Sequence, residues 1–324
     1  MFVRDLQEGA ELDRVLLVRE VQLRSKRDGG RYLRLMLGDR TGSLPCNVWE
    51  DVEAAARIAA AGSPVHVRGR LQTSARYGAE LKLRSLRAAE PGSFDEDDLI
   101  DGPSRSAEQL EVELRELLAT VQDEDLRRLL HAVFAADSPT WSRYRVAPGA
   151  KHFHHAYRHG LLEHSLSVAQ AVSASSATFA GIDRDVAVAG ALLHDIGKLD
   201  TYAFAGAAIE MTDAGKLQGE IPLGYYAVRR LVDGIEGFDA RTAEAVLHII
   251  LSHHGSLEHG SPVTPCTREA TLVHFCDNLG GRLGSFDRLE KELASGERWS
   301  RFDRAIGGGA YFAGATQDET REAA

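Results

Sequence analysis

The sequence predicts two modules of different class, a small N-terminal β-barrel and a larger all-α domain. Apolar and polar residues alternate with a period of two in residues 64–72 and 80–87, as they do in half-buried strands. From residue 107 onward the apolar spacing changes to the 3.6-residue period of amphipathic helices, with a turn expected at residues 141–148. Residues 91–105 combine proline, glycine and an acidic run, which is typical of a linker. The expected boundaries are 1–90 for the barrel, 91–105 for the linker, 106–300 for the helical domain and 301–324 for a flexible tail.

Composition narrows the class of protein before any motif is considered. The 324 residues are 44% hydrophobic and 27% charged, which is typical of a soluble globular chain with two cores. No apolar run approaches the roughly 20 residues that cross a bilayer, so we expect no membrane partner. The first residues lack the apolar core of a signal peptide, and three scattered cysteines do not suit a disulfide framework. We therefore expect a reducing, cytoplasmic location.

The net charge of −10 is divided unevenly between the two modules. Residues 1–90 contain 16 Lys and Arg against 12 Asp and Glu, a net charge of +4, which leaves −14 for the remainder. A basic module can attract a polyanion such as nucleic acid. The acidic module would repel the same polyanion unless metal ions or a local basic patch intervened.

The barrel prediction depends on the order of the short elements. Five strands with one helix between the third and fourth indicate a Greek-key barrel of the OB type. The turn LGDRTG, followed by a strand that ends at Trp49, resembles the OB modules that bind single-stranded nucleic acid. The predicted elements are strands at 14–24, 31–37 and 43–49, a helix at 51–61, and strands at 64–72 and 80–87.

Basic and aromatic side chains on these strands are candidates for nucleic-acid contacts. Arginine and lysine attract the phosphate backbone, and exposed aromatic rings stack on bases. The alternative is a solvated basic face with the aromatic rings in the core, and the sequence leaves it open. The candidates are Arg31, Tyr32, Arg34, Trp49, Arg68, Arg70, Tyr77 and Lys82.

The first candidate metal ligands stand where an apolar helical run ends. Within residues 186–198 the apolar run ends in His194-Asp195, and an imidazole beside a carboxylate at the end of a buried helix suits a divalent metal. His164 lies at the margin of the apolar face of its helix. Asp277 lies beside an apolar stripe that we expect to be buried. That stripe consists of Leu272, Phe275, Cys276 and Leu279.

A second group of candidates follows another apolar run. His253 and His254 end that run and precede Gly255, and two adjacent imidazoles there suit a second metal. Glu220 opens a predicted helix, where it is either a third ligand or a partner of the helix dipole. Any one of these residues alone is more often structural, but their combination favours a metal site.

The order of these residues resembles a known family. His164, His194-Asp195 and Asp277 reproduce the H…HD…D pattern of HD-domain metal-dependent phosphohydrolases. The segments HHAYRHGLLEHS (154–165), LLHDIGKL (192–199) and LSHHG (251–255), behind an OB module, resemble the YhaM-like 3′→5′ exoribonucleases. One departure is Glu220, because that family commonly has a histidine there.

The resemblance implies a role for each candidate. It implies a first metal on His164, His194, Asp195 and Asp277, with Asp195 as the bridge, and a second on Glu220, His253 and His254. Asp195, His194 and Lys198 are the expected catalytic residues. Lys198 either contacts a phosphate oxygen or acts only as a helix-end cation. The expected substrate entrance consists of His154, His155, Arg158 and His159.

The expected function is a 3′→5′ exoribonuclease that releases nucleoside 5′-monophosphates from single-stranded RNA. Single-stranded DNA is a second candidate substrate, and a homo-oligomer is left open. We expect two divalent ions, with Mn²⁺ favoured and Mg²⁺ as the alternative. Two other functions stay open: an HD-type nucleotide phosphohydrolase or cyclic-nucleotide phosphodiesterase, and a nucleic-acid-binding protein whose metal site is not catalytic.

Overall fold

A computed structural model describes most of the chain, and its helices and strands place the candidate residues. Two candidates, Tyr77 and His154, lie outside the described residues. The same is true of the last part of the predicted tail, residues 314–324. The structure describes residues 2–26, 29–74, 78–99, 102–103, 105–151, 155–205, 208–291, 293, 297–303 and 306–313.

The N-terminal module is a closed five-stranded barrel with strand order β1-β2-β3-β5-β4, in which β4 pairs with β1. The pairs are antiparallel except for β3 and β5, which run parallel. One helix connects the third strand to the fourth, as predicted. The elements are β1 (Glu11–Ser25), β2 (Arg31–Asp39), β3 (Gly42–Val48), α1 (Val52–Ile58), β4 (Pro64–Ser74) and β5 (Gly78–Ala88).

Alternation of side chains explains the barrel core. Leu33, Leu35 and Leu37 on β2 are buried, whereas Arg34 between them is exposed. The chain then enters a single helical turn, α2 (Glu96–Leu99), within the predicted linker. Leu99 is buried there against β1, so the first part of that segment packs on the barrel.

The remainder of the chain is helical and has one large apolar core that connects α3 to α12. Side-chain caps fix several helix starts; Asp183, for example, accepts hydrogen bonds from the first turn of α7. The helices are α3 (Ala107–Ala119), α4 (Glu124–Phe134), α5 (Pro139–Tyr144), α6 (Gly160–Ser176), α7 (Arg184–Leu193), α8 (Lys198–Thr201), α9 (Asp213–Gln218), α10 (Glu220–Asp233), α11 (Ala240–Ser252) and α12 (Arg268–Lys291).

Two glycines allow the close helix packing that brings the candidate residues together. A Cβ atom on Gly190 would lie 2.4 Å from the side chain of Ile249, so this glycine lets α7 approach α11 closely. A Cβ atom on Gly197 would lie 2.0 Å from the carbonyl oxygen of Glu220. The end of α7 and the start of α10 are therefore in direct contact.

Three features differ from the sequence-based expectations. The region predicted as a turn at 141–148 begins with helix α5, because Pro139 occupies the first turn after Ser138. A short hairpin, β6 (Tyr202–Ala205) and β7 (Ala208–Met211), interrupts the helical domain. These strands have four residues each, too few for a periodic pattern to be detected.

The third difference concerns the predicted flexible tail. Ser300 and Ala310 exchange backbone and side-chain hydrogen bonds, and Trp299 contacts Tyr311. Ala310 is buried, so the described part of the tail is folded rather than free. Among the described residues no helix combines the length and apolarity that crossing a bilayer requires.

Candidate metal centre

Three helices deliver a first set of donor atoms to one point. His164 is on the second turn of α6, His194 ends α7, and Asp277 is on α12. The Nε2 atom of His164 lies 3.3 Å from that of His194 and 3.0 Å from Oδ1 of Asp277. These three donors all lie within 4.8 Å of one another, which is close enough for one ion. We call them the closed cluster, because both imidazoles are buried.

A second set of donors lies at the adjoining helix ends. Glu220 begins α10, and His253 and His254 follow α11. Oε1 of Glu220 lies 3.2 Å from Nε2 of His254, and the three donor atoms lie within 4.8 Å of one another. We call this set the open cluster, because His254 and Glu220 are only partly buried.

Asp195 lies between the two clusters and directs one oxygen toward each. Its Oδ2 lies 3.3 Å from Nε2 of His194 and 3.4 Å from Nε2 of His164. Its Oδ1 lies 3.7 Å from Nε2 of His253. This is the arrangement that a bridging carboxylate needs.

Two buried atoms between the clusters lack hydrogen-bond partners among the described residues. They are Oδ1 of Asp195 and Nε2 of His253, and both belong to nearly inaccessible side chains. An acceptor oxygen and an imidazole nitrogen left unpaired in the interior are costly, and a shared cation would satisfy both. The residues present therefore fit divalent metal ions.

The imidazoles are held in one orientation by the backbone. The Nδ1 atoms of His194 and His253 lie 2.7 Å from the carbonyl oxygens of Ala191 and Ile250. That of His254 lies 2.9 Å from the carbonyl oxygen of His259. A carbonyl oxygen can only accept, so each of these Nδ1 atoms carries a proton, and Nε2 is the ring nitrogen that can bind a metal when it carries none.

Electrostatics favours a charged closed cluster. Burial raises the pKa of Asp195, but Lys198 and His194 outweigh it and hold that pKa well below its usual range. Burial likewise opposes ionisation of Asp277, but hydrogen bonds from His164 and His194 keep its pKa well below normal. Burial lowers the pKa of His194, yet the two carboxylates raise it to about 10.

In the open cluster one imidazole has a lowered pKa, in contrast to the raised pKa of His194. Burial, together with the charges of His194 and His254, lowers the pKa of His253 to about 4. Burial also opposes ionisation of Glu220, but Lys198 and His254 lower its pKa overall. His253 is therefore neutral at pH 7 and needs to lose no proton before it binds a metal.

Lys198 is directed at the bridging carboxylate. Its Nζ atom lies 2.6 Å from Oδ2 of Asp195, in a side chain that is only 12% exposed. Burial lowers the pKa of Lys198, but Asp195 and Glu220 outweigh it and raise that pKa above its usual value. In this structure the ammonium group offsets part of the charge of the Asp195 and Glu220 carboxylates.

The predicted entrance residues have different surroundings. The His155 ring packs beside that of His164, with ring centroids 5.2 Å apart. Nδ1 of His159 bonds to the carbonyl oxygen of Arg145, at the start of α6. Arg158 is partly exposed. The structure therefore brings His155 into contact with the closed cluster.

On the barrel, two predicted aromatic residues form one surface. The rings of Tyr32 and Trp49 stack with centroids 4.5 Å apart, and Trp49 is 48% exposed. Nζ of Lys26 lies 5.5 Å from the centroid of the Trp49 ring. Arg34 shares the outer face of β2 with Tyr32, whereas Arg31 alternates to the other face. We call Lys26, Tyr32, Arg34 and Trp49 the aromatic face.

The other predicted basic residues are paired with acidic residues or backbone oxygens. Nε of Arg68 lies 2.8 Å from the Asp13 carboxylate, and Nζ of Lys82 lies 3.8 Å from that of Glu80. Nε of Arg70 donates to the carbonyl oxygen of Gly9. These three residues are on β4 and β5, whereas the aromatic face is formed by β2 and by residues that follow β1 and β3.

Sequence reasoning misplaced one apolar stripe. Phe275 and Leu279 were expected to be buried, but both are exposed. Helix α12 packs instead through Ala270, Val273 and Cys276, which places Asp277 at the edge of the buried face.

Sequence reasoning also missed three residues that line a pocket beside the open cluster. The spacing of His274 and Asn278, one helical turn apart on α12, was the signal in the sequence that could have indicated this pocket. The missed residues are His259, His274 and Asn278.

Comparison with known proteins identifies both modules. A model of the OB-fold nucleic acid binding domain matches residues 15–88, and a model of the HD domain matches residues 161–281. The chain is an OB-fold module followed by an HD domain. All four residues of the H…HD…D pattern lie within the HD match. The HD domain makes the chain a hydrolase and implies the use of divalent metal.

The chain is similar along most of its length to curated bacterial proteins named 3′-5′ exoribonuclease YhaM. It is 27% identical to the Geobacillus protein over 290 residues, which is 89% of this chain and 88% of the relative. It is 26% identical to the Bacillus subtilis protein and 28% identical to the Bacillus velezensis protein, in each case over 90% of this chain and 92% of the relative. The resemblance predicted from the motifs is confirmed.

Proposed function

We propose that this chain is a metal-dependent 3′→5′ exoribonuclease that releases nucleoside 5′-monophosphates from single-stranded RNA. The observation that carries the proposal is the position of Asp195, which directs one carboxylate oxygen toward each of two donor clusters. An OB-fold module upstream and relatives named as exoribonucleases support RNA as the substrate. The unpaired thiols of all three cysteines support a reducing, cytoplasmic location.

Each donor group has a distinct part in this proposal. His164, His194 and Asp277 would hold one ion, Glu220, His253 and His254 the other, and Asp195 would contact both. When bound, a pair of divalent ions neutralises a phosphodiester and lowers the pKa of the attacking water. Mn²⁺ is favoured over Mg²⁺, because each cluster combines imidazole nitrogens with a carboxylate.

The chain's own residues prepare the site for that chemistry. Backbone carbonyls hold the Nδ1 atoms, so that Nε2 of His194, His253 and His254 is the ring nitrogen left to contact a metal. Lys198 holds Oδ2 of Asp195 in place and offsets part of the negative charge that would repel RNA. His155 packs against the ring of His164 and limits its movement.

The aromatic face of the barrel would hold the strand upstream of the scissile bond. Trp49 offers an exposed ring to a base, while Lys26 and Arg34 attract the phosphate backbone. This division explains why a basic module precedes an acidic one. The barrel supplies attraction for the substrate, and the helical domain supplies carboxylates for metals.

The experiment is product analysis on RNA labelled at its 5′ end, with Mn²⁺ or Mg²⁺ and with single-stranded DNA as the parallel substrate. We expect a ladder that shortens from the 3′ end and releases nucleoside 5′-monophosphates. Hydrolysis of mononucleotides or cyclic nucleotides alone would favour the nucleotide phosphohydrolase instead. Metal binding without hydrolysis of any of these substrates would favour a binding protein.

The role of the barrel is tested by Trp49→Ala. Loss of one stacked base costs about 1–3 kcal/mol, so the affinity for a long strand should fall roughly fivefold or more. Cleavage of a dinucleotide should change little, because a dinucleotide is too short to reach the barrel. Trp299→Ala is the matched control, since this tryptophan is also exposed but lies in the C-terminal segment. Equal losses on both substrates would contradict the division of labour.

A further inference from the structure

A small polar pocket adjoins the metal centre on the side of the open cluster. It has a volume of about 190 Å³, below the roughly 300 Å³ at which pockets for drug-sized ligands begin. It is lined by His253, His254, His259, His274, Asp277 and Asn278. Three of these are candidate metal ligands, so any occupant lies next to the phosphate that the metals would hold. The pocket therefore suits one sugar unit rather than a whole nucleotide.

His274 lines this pocket, and its Nδ1 atom contacts a backbone carbonyl oxygen as those of the candidate metal-binding imidazoles do. Its Nδ1 atom lies 2.7 Å from the carbonyl oxygen of His253, which places the proton on Nδ1. Nε2 is then an acceptor when the ring is neutral. Unlike the Nε2 atoms of His253 and His254, that of His274 belongs to neither donor cluster. The fixed acceptor is thus available to something other than a metal.

The position of the His274 ring is set by close packing. Gly255 has a φ of +82°, and a Cβ atom there would lie 2.1 Å from Cε1 of His274. Glycine at this position therefore lets the ring lie directly against the loop that follows His254. Asn278, one turn later on α12, places an amide on the same wall of the pocket.

The chemistry of the wall identifies the group that it would bind. A phosphate oxygen is an acceptor and gains nothing from an acceptor nitrogen, whereas a sugar hydroxyl can donate to it. Resting on the proposed function, we propose that Nε2 of His274 accepts a hydrogen bond from a ribose hydroxyl of the 3′-terminal nucleotide. Asn278 supplies a second polar contact to the same sugar. The donor is the 2′-hydroxyl or the 3′-hydroxyl, and the experiment separates the two.

The test measures binding of the product rather than turnover. Adenosine 5′-monophosphate, its 2′-deoxy form and its 3′-deoxy form are titrated by calorimetry into the Mn²⁺-loaded full chain. The wild type should bind one deoxy form roughly threefold to tenfold more weakly, as the loss of one hydrogen bond predicts. The form that binds more weakly identifies the hydroxyl.

Two substitutions separate this contact from a structural role. His274→Asn keeps a donor near the Nδ1 position but has no atom where Nε2 lies. This variant should therefore bind all three nucleotides as weakly as the wild type binds the weaker deoxy form. His274→Gln places its amide near the Nε2 position and should keep part of the discrimination. His131→Asn, an exposed histidine on α4, is the control and should behave as the wild type. Metal content is measured on every variant and should not change.

The outcomes also separate this inference from the proposed function. A wild type that binds all three nucleotides equally overturns the contact, whether or not the variants fold. A His274→Asn variant that loses metal, or that keeps the wild-type discrimination, shows that the ring is only structural. If the wild type discriminates among the sugars but leaves RNA intact, the sugar contact stands and the exoribonuclease does not.

Discussion

The closed and open clusters are neighbours with similar donors, yet their surroundings differ. The side chains of His164 and His194 are 3% and 0% exposed, whereas those of His254 and Glu220 are 29% and 20% exposed. The closed cluster is surrounded by helices α6, α7 and α12, and the open cluster faces the pocket. Asp277 of the closed cluster also lines that pocket, so substrate that enters there would meet the open cluster and Asp277, while His164 and His194 remain buried.

The two clusters also differ in the ligand atoms that they offer to a metal. The closed cluster has two imidazoles whose neighbours include two ionised carboxylates, so once His194 has lost its proton the cluster offers a cation two negative charges, which Lys198 offsets in part. The open cluster has Glu220 where the resemblance led us to expect a third imidazole. A carboxylate is a harder ligand than an imidazole, which favours Mn²⁺ or Mg²⁺ over softer ions. The comparison predicts one tightly held ion and one that exchanges.

The largest effect is expected for the residue that both clusters share. Asp195→Asn removes the charge of this side chain while keeping its shape. We expect the rate of RNA hydrolysis to fall by more than the roughly 100-fold that follows when a residue that only supports a metal ligand is replaced. RNA binding by the barrel should persist, because the aromatic face is untouched. Initial rates and binding isotherms on one preparation check this. Asp200→Asn, an exposed acidic residue five positions later, is the control; near wild-type activity of Asp195→Asn would exclude the bridge.

The next effect separates the clusters from each other. His164→Ala should remove the tightly held ion and with it all activity. His254→Ala should leave that ion in place and lower the affinity for the exchangeable one by roughly 10-fold or more. Metal content after dialysis measures the first ion, and activity against Mn²⁺ concentration measures the second. If both variants lost the same ion, the two clusters would be a single site.

A smaller effect is expected from pH. In the metal-free protein the pKa of His194 is about 10, so its Nε2 is protonated near neutral pH and must lose that proton to bind a metal. His253, with a pKa of about 4, is already neutral and releases none. Affinity of the closed cluster should therefore rise with pH, by at most tenfold per unit, between about pH 6 and pH 8. Mn²⁺ titration of His254→Ala measures this; a flat profile would contradict it.

The smallest effect concerns metal preference at the open cluster. Glu220→His exchanges the hard donor for an imidazole and should shift the activating ion away from Mg²⁺ toward Mn²⁺ by a factor of a few. The ratio of activities with the two ions checks this. Glu210→His, on the short strand β7, serves as the control substitution. An unchanged ratio would mean that Glu220 does not contact the ion.

Much of the architecture follows from periodicity in the sequence. The strands of the barrel alternate over much of their length because one face is buried, although Val15–Val18 on β1 are buried in succession. The long helices of the second domain carry apolar stripes. The hairpin of β6 and β7 was not predictable, since four-residue strands carry too little pattern. Helix α5 was missed because a six-residue helix that begins with proline resembles a turn.

The site was predictable where residue order alone decides it. The seven candidate ligands come from five separated segments, and the structure gathers all of them into the two clusters with Asp195 between them. The order of residues cannot reveal which groups a side chain contacts once the chain is folded. For Lys198 the sequence left open a phosphate contact or a helix-end cation, and the structure places its ammonium group on Asp195. His274 was overlooked because no motif marks a residue that lines a pocket.

The central claim is that Asp195 joins two ions in one centre, and paramagnetic resonance of the Mn²⁺-loaded chain tests it most directly. Two ions about 4 Å apart, as in two-metal hydrolytic sites, would show exchange coupling. We predict two Mn²⁺ per chain with a coupled spectrum in the wild type, and an uncoupled spectrum in Asp195→Asn. Two isolated ions, or a single ion, in the wild type would contradict the account.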